Sequence, residues 1–526
     1  MGGLREHSFT IDEAFVRGLQ PDAWTKRNAP YLVEMKNLKP TIHGGLVPEA
    51  VTYPISNPSL SMDWPFPQLL RGQSRTLLAG KTTMYNVSED TWDTEQVTTY
   101  SAHSPTSQLS ITAGGPWHMA SFQFVRFLTN GQSLVFYAPS NYGERVLVAD
   151  SLRVNTVTRH NNRLFLGGLY GSWLDSDPWQ DLISVWQETL PEDHFVSEGV
   201  RPYYLPGTSG DYSGARWLAW SEPGGGASDI PFHLFLSAMG VWGSAALDNV
   251  EELAVSAIEQ GKIGFMPITT PGAILCIKPL GDRMVVYGSR GISVLHPDGD
   301  RYREQVLTSV GIAGRGAVGG TDTEHLFIDS IGDAWRLLAS GVPEHIKRRE
   351  YFSAMTGADI VVTYDPGERD YWVSDGSVCY VITPSGVGGP TTIKPSSLLR
   401  AGNGALCGTA IGIGDSLDIQ VETCDFDIAE RGTKHIVGLQ VPLKGLTNVK
   451  AQTRYKYDVT DDWMGSPWKP ISRKGAGFQN ISFVDGRVRI KGDVAAANAR
   501  VERIEVRYSG EDRSARRGTK GIPEAA

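Results

Sequence analysis

The sequence predicts a mostly β protein, and two features of it support this prediction. Short apolar segments alternate with turn-forming residues along most of the 526 residues. Glycine and proline, with 59 and 30 residues and no triplet repeat, are as frequent as expected where many turns join many strands. The hydrophobic fraction of 40% and the charged fraction of 20% are typical of a folded globular chain.

One motif recurs: a short apolar strand, a turn, and a second apolar strand. Asn130-Gly131, Gly281-Asp282 and Asp375-Gly376 supply residues suited to tight reversals. The flanking segments are rich in β-branched and aromatic residues, which suit a pleated sheet. The motif therefore predicts linked antiparallel hairpins. Its copies lie at 75–88, 122–138, 155–168, 273–295, 324–338 and 371–383.

The spacing of the copies predicts how the hairpins are arranged. Three of them start near residues 273, 319 and 360, and a spacing of about 40 residues corresponds to one four-stranded propeller blade. We therefore predict a β-propeller over residues 61–415, preceded by an N-terminal arm at residues 1–60. A pair of large β-sandwiches would give the same hairpin pattern, so that alternative stays open.

Two further regions depart from this rhythm. Residues 175–270 contain helix-like spacing at 178–190 and 247–262, which predicts a partly helical insertion projecting from the blades. From residue 416 to 510, apolar and polar residues alternate, which predicts a C-terminal antiparallel, β-sandwich-like domain. Residues 511–526 lack a core-forming pattern and are expected to be a flexible basic tail.

The charge and cysteine content exclude several functional classes. With 49 basic and 58 acidic residues, the net charge of −9 argues against a protein that grips phosphates over a broad face, though not against a surface along which DNA slides. We expect no secretion signal, because the N-terminus lacks a basic and then apolar region, and no membrane segment, because no apolar run reaches about 18 residues. The cysteines lack zinc-site spacing and are expected to be buried free thiols of a chain made in a reducing cytoplasm. They are Cys276, Cys379, Cys407 and Cys424.

No catalytic template fits the sequence. Gly80-Lys81-Thr82 resembles the end of a phosphate-binding loop, but position 75 is arginine where that motif needs glycine. A GxGxxG pattern precedes a strand rather than the helix that a dinucleotide site requires, so it is interpreted as a turn between blades. We therefore predict that the protein is not an enzyme and uses no catalytic residue, cofactor or metal. The three glycines of that pattern are Gly314, Gly316 and Gly319.

Two stretches resemble a known group of proteins. Residues 308–337 place a glycine-rich turn, a short strand, a Gly-Asp turn and an aromatic-bearing strand in succession. Residues 424–443 and 483–518 contain an acidic–Gly–Lys strand entry, a G-R-x-R-I strand and a final strand ending in an acidic–Arg pair. These features resemble the propeller-bearing tail nozzle and head-completion proteins of short-tailed bacteriophages. The likeness does not extend to residues 175–270.

The resemblance implies a virion structural protein of the tail, assembled in the host cytoplasm as a homo-oligomeric ring, a hexamer, around the DNA path. The expected partners are a tail adaptor or tube protein, possible side fibres and viral DNA in transit. Aromatic residues of 175–270 are the candidate subunit interface, because large apolar side chains outside a core usually mark contacts. The alternatives are a carbohydrate-binding or carbohydrate-active propeller that recognises a host receptor, and a bacterial scaffold propeller. The candidate interface residues are Trp179, Trp186, Phe232, Phe235 and Trp242.

Overall fold

The structure is a computed structural model, and it describes most of the chain. The described residues are 6–12, 17–20, 31–48, 67–71, 76–88, 93–170, 216–223, 264–400, 406–410, 417–426 and 434–510, apart from gaps of one to three residues within these ranges. Within them the chain is mostly β, as predicted, with one α-helical turn, α1 (Arg349–Phe352), and one 3-10 turn (Gly357–Asp359).

The N-terminal segment forms four strands, and the propeller strands follow. The N-terminal strands are β1 (Glu6–Ile11), β2 (Leu32–Lys36), β3 (Leu38–Pro40) and β4 (Leu46–Pro48). Blade 1 is β5 (Gln68–Arg71), β6 (Thr76–Ala79), β7 (Met84–Val87) and β8 (Thr94–Gln96), and a separate hairpin, β9 (Thr98–Ser101) with β10 (Ser104–Gln108), comes after it. Blade 2 is β11 (His118–Phe122), β12 (Val125–Thr129), β13 (Leu134–Ser140) and β14 (Gly143–Ala149). Blade 3 is β15 (Arg153–His160), β16 (Arg163–Tyr170), β17 (Trp217–Trp220) and β18 (Gly264–Pro267).

The remaining blades occupy residues 274–410. Blade 4 is β19 (Ile274–Leu280), β20 (Arg283–Gly288), β21 (Ile292–Asp298) and β22 (Arg301–Thr308). Blade 5 is β23 (Val318–Gly320), β24 (Glu324–Ile328), β25 (Ala334–Leu338) and β26 (Pro343–Lys347). Blade 6 is β27 (Val361–Asp365), β28 (Asp370–Ser374), β29 (Cys379–Ile382) and β30 (Val387–Gly388), and blade 7 has two strands, β31 (Pro395–Arg400) and β32 (Leu406–Ala410).

Local turn chemistry produces these blades. In each four-stranded blade the strands pair antiparallel in sequence order. Gly131, Gly281 and Gly376 have φ angles of +85°, +63° and +80°, which glycine adopts without steric cost, so the predicted hairpin turns are confirmed. Blades 4, 5 and 6 begin at Ile274, Val318 and Val361, close to the predicted starts.

The ring is closed by contacts between blade 7 and blade 1 instead of by a shared sheet. The backbone N–H of Leu69 donates to Ser397 Oγ at 2.6 Å, and Arg71 Nη1 donates to the carbonyl of Arg400 at 3.0 Å. The first and last blades are thereby joined across more than 300 residues of sequence.

The range 175–270 is not one continuous insertion, because two strands of blade 3 lie inside it. β17 pairs with β16, and β18 pairs with β17, so the sheet is completed by residues that the hairpin pattern does not mark. The two helix-like segments expected at 178–190 and 247–262 lie outside the described residues.

Residues 416–510 fold together with the N-terminal segment. Their strands are β33 (Asp418–Thr423), β34 (Lys434–Gln440), β35 (Leu443–Lys444), β36 (Leu446–Lys456), β37 (Met464–Gly465), β38 (Lys469–Pro470), β39 (Ala476–Phe483), β40 (Asp485–Val494), β41 (Arg500–Val501) and β42 (Ile504–Gly510). The sheets run β1-β42-β34-β39, β2-β33-β40-β36-β37 with β38 also on β36, and β3-β4-β41-β35. Described residues 6–48 are thus not a free arm, since each of these sheets contains at least one of their strands.

The polar face of the largest sheet carries an ion network around Glu422. This side chain is only 2% exposed and lies within 3.3 Å of guanidinium nitrogens of Arg454, Arg487 and Arg489. Alternate residues of the same strands, such as Val421 and Val488, are fully buried on the opposite face. The alternation predicted for this region therefore corresponds to one apolar and one charged face.

The propeller and the terminal strands are bonded to each other through residues 18–39. Leu19 N donates to the carbonyl of Val387 at 2.8 Å, Tyr351 Oη donates to the carbonyl of Leu19 at 2.8 Å, and Lys39 forms an ion pair with Asp370. The buried apolar residues of blades 4–6 and of the terminal strands form one continuous cluster.

Candidate functional site

The first strands of all seven blades surround a cavity of about 600 Å³ at the centre of the propeller. This volume is typical of sites for small molecules. Every blade contributes lining residues, which include Gln68 and Arg71, His118 and Met119, Val157 and Thr158, Cys276 to Pro279, Val318 to Gly320, Val361 to Tyr364, and Ser396 to Arg400.

The loop before blade 5 spans the centre of the ring. Gly316 accepts a hydrogen bond at its carbonyl from Val362 N of blade 6 at 2.8 Å. The carbonyl of Arg315 lies 3.1 Å from His118 Nε2 of blade 2, and Arg315 Nε donates to the carbonyl of Asn155 of blade 3 at 2.9 Å. Neighbouring residues of one loop therefore bond to opposite sides of the ring and close the channel there. We name residues 311–317 the crossing loop.

Close backbone approach explains two glycines of the GxGxxG pattern, Gly316 in the crossing loop and Gly319 in β23. A Cβ on Gly316 would lie 2.8 Å from the carbonyl oxygen of Ile360, and one on Gly319 would lie 2.7 Å from that of Val362. Both distances are too short for a real side chain. The GxGxxG pattern thus serves packing between blades, and a strand follows it, as the sequence predicts.

His118 is held in its neutral form beneath the crossing loop. Its Nε2–H donates to the Arg315 carbonyl, so Nδ1 accepts from Thr156 Oγ1 at 2.8 Å. Burial lowers the pKa of His118 well below its ordinary value, and the positive charges of Arg315 and Lys278 lower it further.

Arg315 is a buried cation that only uncharged groups solvate. Its guanidinium donates to the carbonyls of Asn155 and Thr129, and Nη1 is buried without a hydrogen-bond partner. Burial lowers the pKa of Arg315 to about 10, so the group remains protonated at neutral pH. No ion pair joins it to any carboxylate that the structure describes.

The cavity lining is strongly positive. It includes Arg71, Lys278, Arg315 and Arg400 but no aspartate or glutamate among the described residues. Asp365, behind the lining, binds Arg400 through two oxygens at 2.6 and 2.7 Å, which neutralises that guanidinium.

The cavity lining contains a thiol, and this thiol is poorly suited to covalent chemistry. Cys276 is the thiol of the cavity, and burial raises the pKa of that thiol despite the nearby Lys278 and Arg315. It therefore stays protonated at neutral pH and is a weak nucleophile. Cys379 and Cys424 are also buried free thiols, as predicted.

The candidate interface residues from the sequence lie outside the described part of the chain, but the strands that flank them are placed. Residues 171–215, with Trp179 and Trp186, join β16 to β17 in blade 3. Residues 224–263 contain the other three candidates, Phe232, Phe235 and Trp242, and connect β17 with β18, the outermost strand of that blade. The two connections leave the blade at opposite ends, since successive antiparallel strands reverse direction.

Sequence reasoning does not single out His118, Lys278 or Arg315. One available signal is Lys278 in the otherwise apolar strand ILCIKPL, and a second is Arg315 between two glycines. Neither signal is specific, because isolated basic residues are usually solvated.

Among the described residues, no group of three or more His, Cys, Asp or Glu side chains is placed to hold a metal ion. None of the helices in the same residues has the length and apolar character needed to cross a membrane.

Comparisons with known proteins find distant structural similarities. No family model matches the chain, and no curated protein matches it. The solved structures similar to it include PorZ, a surface component of the type-IX secretion system of Porphyromonas gingivalis, at 10% identity and a TM-score of 0.28. The matched region is 71% of this chain and 43% of PorZ, so the chain spans less than half of that protein's length.

Two further similar structures are smaller. One is BBS1N in complex with ARL6DN, at 9% identity and a TM-score of 0.31, covering 71% of this chain and 90% of that one. The other is the WD40 domain of Pan2 from Neurospora crassa, at 8% identity and a TM-score of 0.29, covering 68% and 85%.

Proposed function

We propose that this protein is a structural subunit of a short-tailed bacteriophage tail, assembled as a homo-oligomeric ring of nozzle type around the path of the DNA. The observation that carries the proposal is the position of the two longest connections, 171–215 and 224–263. Residues 171–215 join the second strand of blade 3 to the third, and residues 224–263 join the third strand to the outermost one, so blade 3 is where a neighbouring subunit in the ring would make contact. The aromatic candidates, Trp179, Trp186, Phe232, Phe235 and Trp242, belong to these connections.

The rest of the described chain suits a rigid building block. The terminal strands and the propeller share one buried cluster and a hydrogen-bonded junction. A head-to-tail interface that closes by rotation converts such a block into a ring. The stretches that resemble tail proteins form the crossing loop with blade 5 and the strands of the terminal sheets.

The proposal places the DNA path between subunits. The crossing loop spans the centre of each propeller, so duplex DNA would run along the axis of the ring and not through a propeller. A net charge of −9 suits a conduit that must not hold the DNA it conducts.

Electron microscopy of the purified chain and of assembled tails tests the proposal. The expected result is a closed ring, in the tail at least, with a hole wide enough for duplex DNA. The double variant Trp179→Ser with Trp186→Ser should lower the fraction of rings in native mass spectrometry or of chains incorporated into tails, whereas Trp468→Ser, on the terminal sheets, should not. A single copy per tail, or a trimeric side fibre away from the DNA axis, would contradict it.

A second candidate function is recognition of a carbohydrate receptor. The observation that favours it is the central cavity, whose volume suits a small molecule and whose wall includes Trp117 and Met119. Retention of a host polysaccharide by the purified chain, without ring formation, would favour this candidate over the first.

A further inference from the structure

We propose that the central cavity of the propeller is a binding site for a small organic anion, whose negative group pairs with Lys278 beside Arg315. This inference is independent of the ring proposal, since it concerns the inside of each subunit. Its starting point is the contrast between a protein of net charge −9 and a cavity lined by four basic side chains and, among the described residues, no carboxylate.

Lys278 is the central residue of the argument. It extends from the first strand of blade 4, is partly buried, and makes no ion pair with any carboxylate that the structure describes. Its charge acts on the same two groups as that of Arg315, namely His118 and Cys276. The two cations therefore lie at the same end of the cavity, near the crossing loop.

Lys278 and Arg315 are two cations of the lining that make no ion pair with a carboxylate that the structure describes. Arg71 and Arg400 do not contribute in the same way, because Arg400 is neutralised by Asp365 and Arg71 is exposed and bonded to the carbonyl of Arg400. The free positive charge of the cavity is thus concentrated at Lys278 and Arg315. A bound anion would compensate these positive charges.

An unused hydrogen-bonding group occurs in the lining residues as well. Thr363 Oγ1 is buried without a hydrogen-bond partner, and Thr363 lines the cavity. Buried polar atoms usually have a partner, and a ligand would supply one.

The apolar residues of the cavity lining indicate what the uncharged part of the ligand is like. Trp117, Met119, Ile277 and Val362 give the cavity apolar walls, and its volume exceeds what a single inorganic ion needs. The site thus suits an organic anion with an apolar or sugar-like body, and either a phosphate ester or a carboxylate satisfies the charge.

Titration of the full-length chain at low salt tests the inference, with Trp117 as a fluorescent reporter and isothermal calorimetry as a second readout. The probes are glucose 6-phosphate, glucuronate and neutral glucose. We expect both anions to bind saturably and glucose not to bind. Comparison of the two anions identifies which charged group the site prefers.

Three variants locate the binding. Lys278→Met keeps most of the side chain but removes the charge, and should weaken anion binding about tenfold or more. Lys278→Arg should retain most of it. Lys450→Met, at an exposed position on the terminal sheets, is the matched control and should bind as the wild type does.

A melting experiment guards against misfolding of the variant. Because Lys278 makes no ion pair with a described carboxylate, Lys278→Met should melt no lower than the wild type without ligand, and the anion should raise the melting temperature of the wild type only. The inference is overturned if neither anion binds at millimolar concentration, if glucose binds equally well, or if Lys278→Met binds the anions unchanged.

Discussion

His325 links blades 4 and 5 through a pair of buried hydrogen bonds. Tyr287 Oη lies 2.8 Å from its Nδ1, and its Nε2 lies 3.0 Å from the carbonyl of Pro279. Since a carbonyl only accepts, Nε2 carries the proton and Nδ1 accepts from the tyrosine. The imidazole is therefore neutral, and burial together with the charge of Lys278 lowers its pKa to about 3.

This histidine makes the fold sensitive to acid. Its pKa is lower in the folded chain than in the unfolded chain, where it is about 6.5, so its stabilising contribution is complete above pH 6.5 and is lost as the pH falls towards 3. The free energy of unfolding should fall by about 1.4 kcal/mol for each pH unit in that window from this group alone. The pKa values of His118 and His160 are also lowered by burial, and they add to the same trend.

Urea unfolding at several pH values between 7 and 4 measures the effect. His325→Gln should be less stable at pH 7 but should lose stability less steeply with acid. His296→Gln, at a partly exposed position in blade 4, should keep the wild-type slope. An unchanged slope for His325→Gln would contradict the assignment.

At the scale of single residues, the sequence identifies turn residues more readily than it identifies buried charged residues. The glycines at 131, 281 and 376 are recognisable because a positive φ angle at a tight turn requires them. The role of Arg315 is not recognisable, because its partners at 129 and 155 are distant in sequence. An arginine between glycines has the same appearance in a solvated loop.

At the scale of elements, the junction between the propeller and the terminal strands depends on Asn37. This residue is fully buried with a φ angle of +57°. Its Oδ1 accepts from Thr392 N at 2.6 Å, next to blade 6, and its Nδ2 donates to the carbonyl of Asp418 at 2.6 Å, in the largest terminal sheet. The Asn37 side chain therefore forms hydrogen bonds with both the propeller and the terminal sheets.

Asn37→Ala should lower the free energy of unfolding by about 3 kcal/mol, because it leaves buried groups without partners and because alanine lacks the side-chain amide that makes asparagine tolerant of positive φ. Calorimetry should then resolve separate transitions for the propeller and the terminal sheets. Asn448→Ala also alters an asparagine at positive φ, but at an exposed position, and should cost about 1 kcal/mol without splitting the transition. A single unshifted transition for Asn37→Ala would contradict this role.

The strands that the sequence predicts pair with strands nearby in the sequence, whereas the strands that it misses pair with distant ones. Blades 4 to 6 follow from hairpin patterns within about 20 residues, so local chemistry is enough to identify them. β17 and β18 are short strands separated from their partners by long connections, and no local pattern marks them. The candidate cavity could not be predicted either, because seven separate strands must meet before it exists.

At the scale of the whole molecule, the two ends of the chain complete each other. β1 pairs with β42 along six residues, β2 pairs with β33, and β4 meets β41. Leu32, Met35, Leu38 and Leu46 are fully buried in the same core as the C-terminal strands. Alternation along each strand predicts sheets, but it does not identify a partner more than 380 residues away.

This arrangement predicts the behaviour of a chain that starts at residue 49. Removing residues 1–48 exposes an unpaired edge of β42, β33 and β41 and uncovers the apolar side chains beneath them. Exposed strand edges and apolar surface promote aggregation, so this fragment should be poorly soluble or lose protection from hydrogen exchange over residues 417–510. Blades 1 to 5 should retain their protection, because their sheets contain none of the removed strands, whereas blade 6 loses the hydrogen bond from Leu19 N to the Val387 carbonyl.

Coexpression of the missing segment shows whether the 49–526 fragment fails because it lacks these strands or because it misfolds in general. Coexpressed residues 1–48 should restore solubility and exchange protection to the 49–526 fragment. The same segment carrying Leu32→Asp and Met35→Asp should fail, because two charges would enter the apolar core. Removal of residues 511–526, which lie beyond the last strand, should leave exchange protection unchanged. If the 49–526 fragment were as protected over 417–510 as the full chain, the terminal strands would not depend on each other, and the rigid block on which ring assembly rests would have to be the propeller alone.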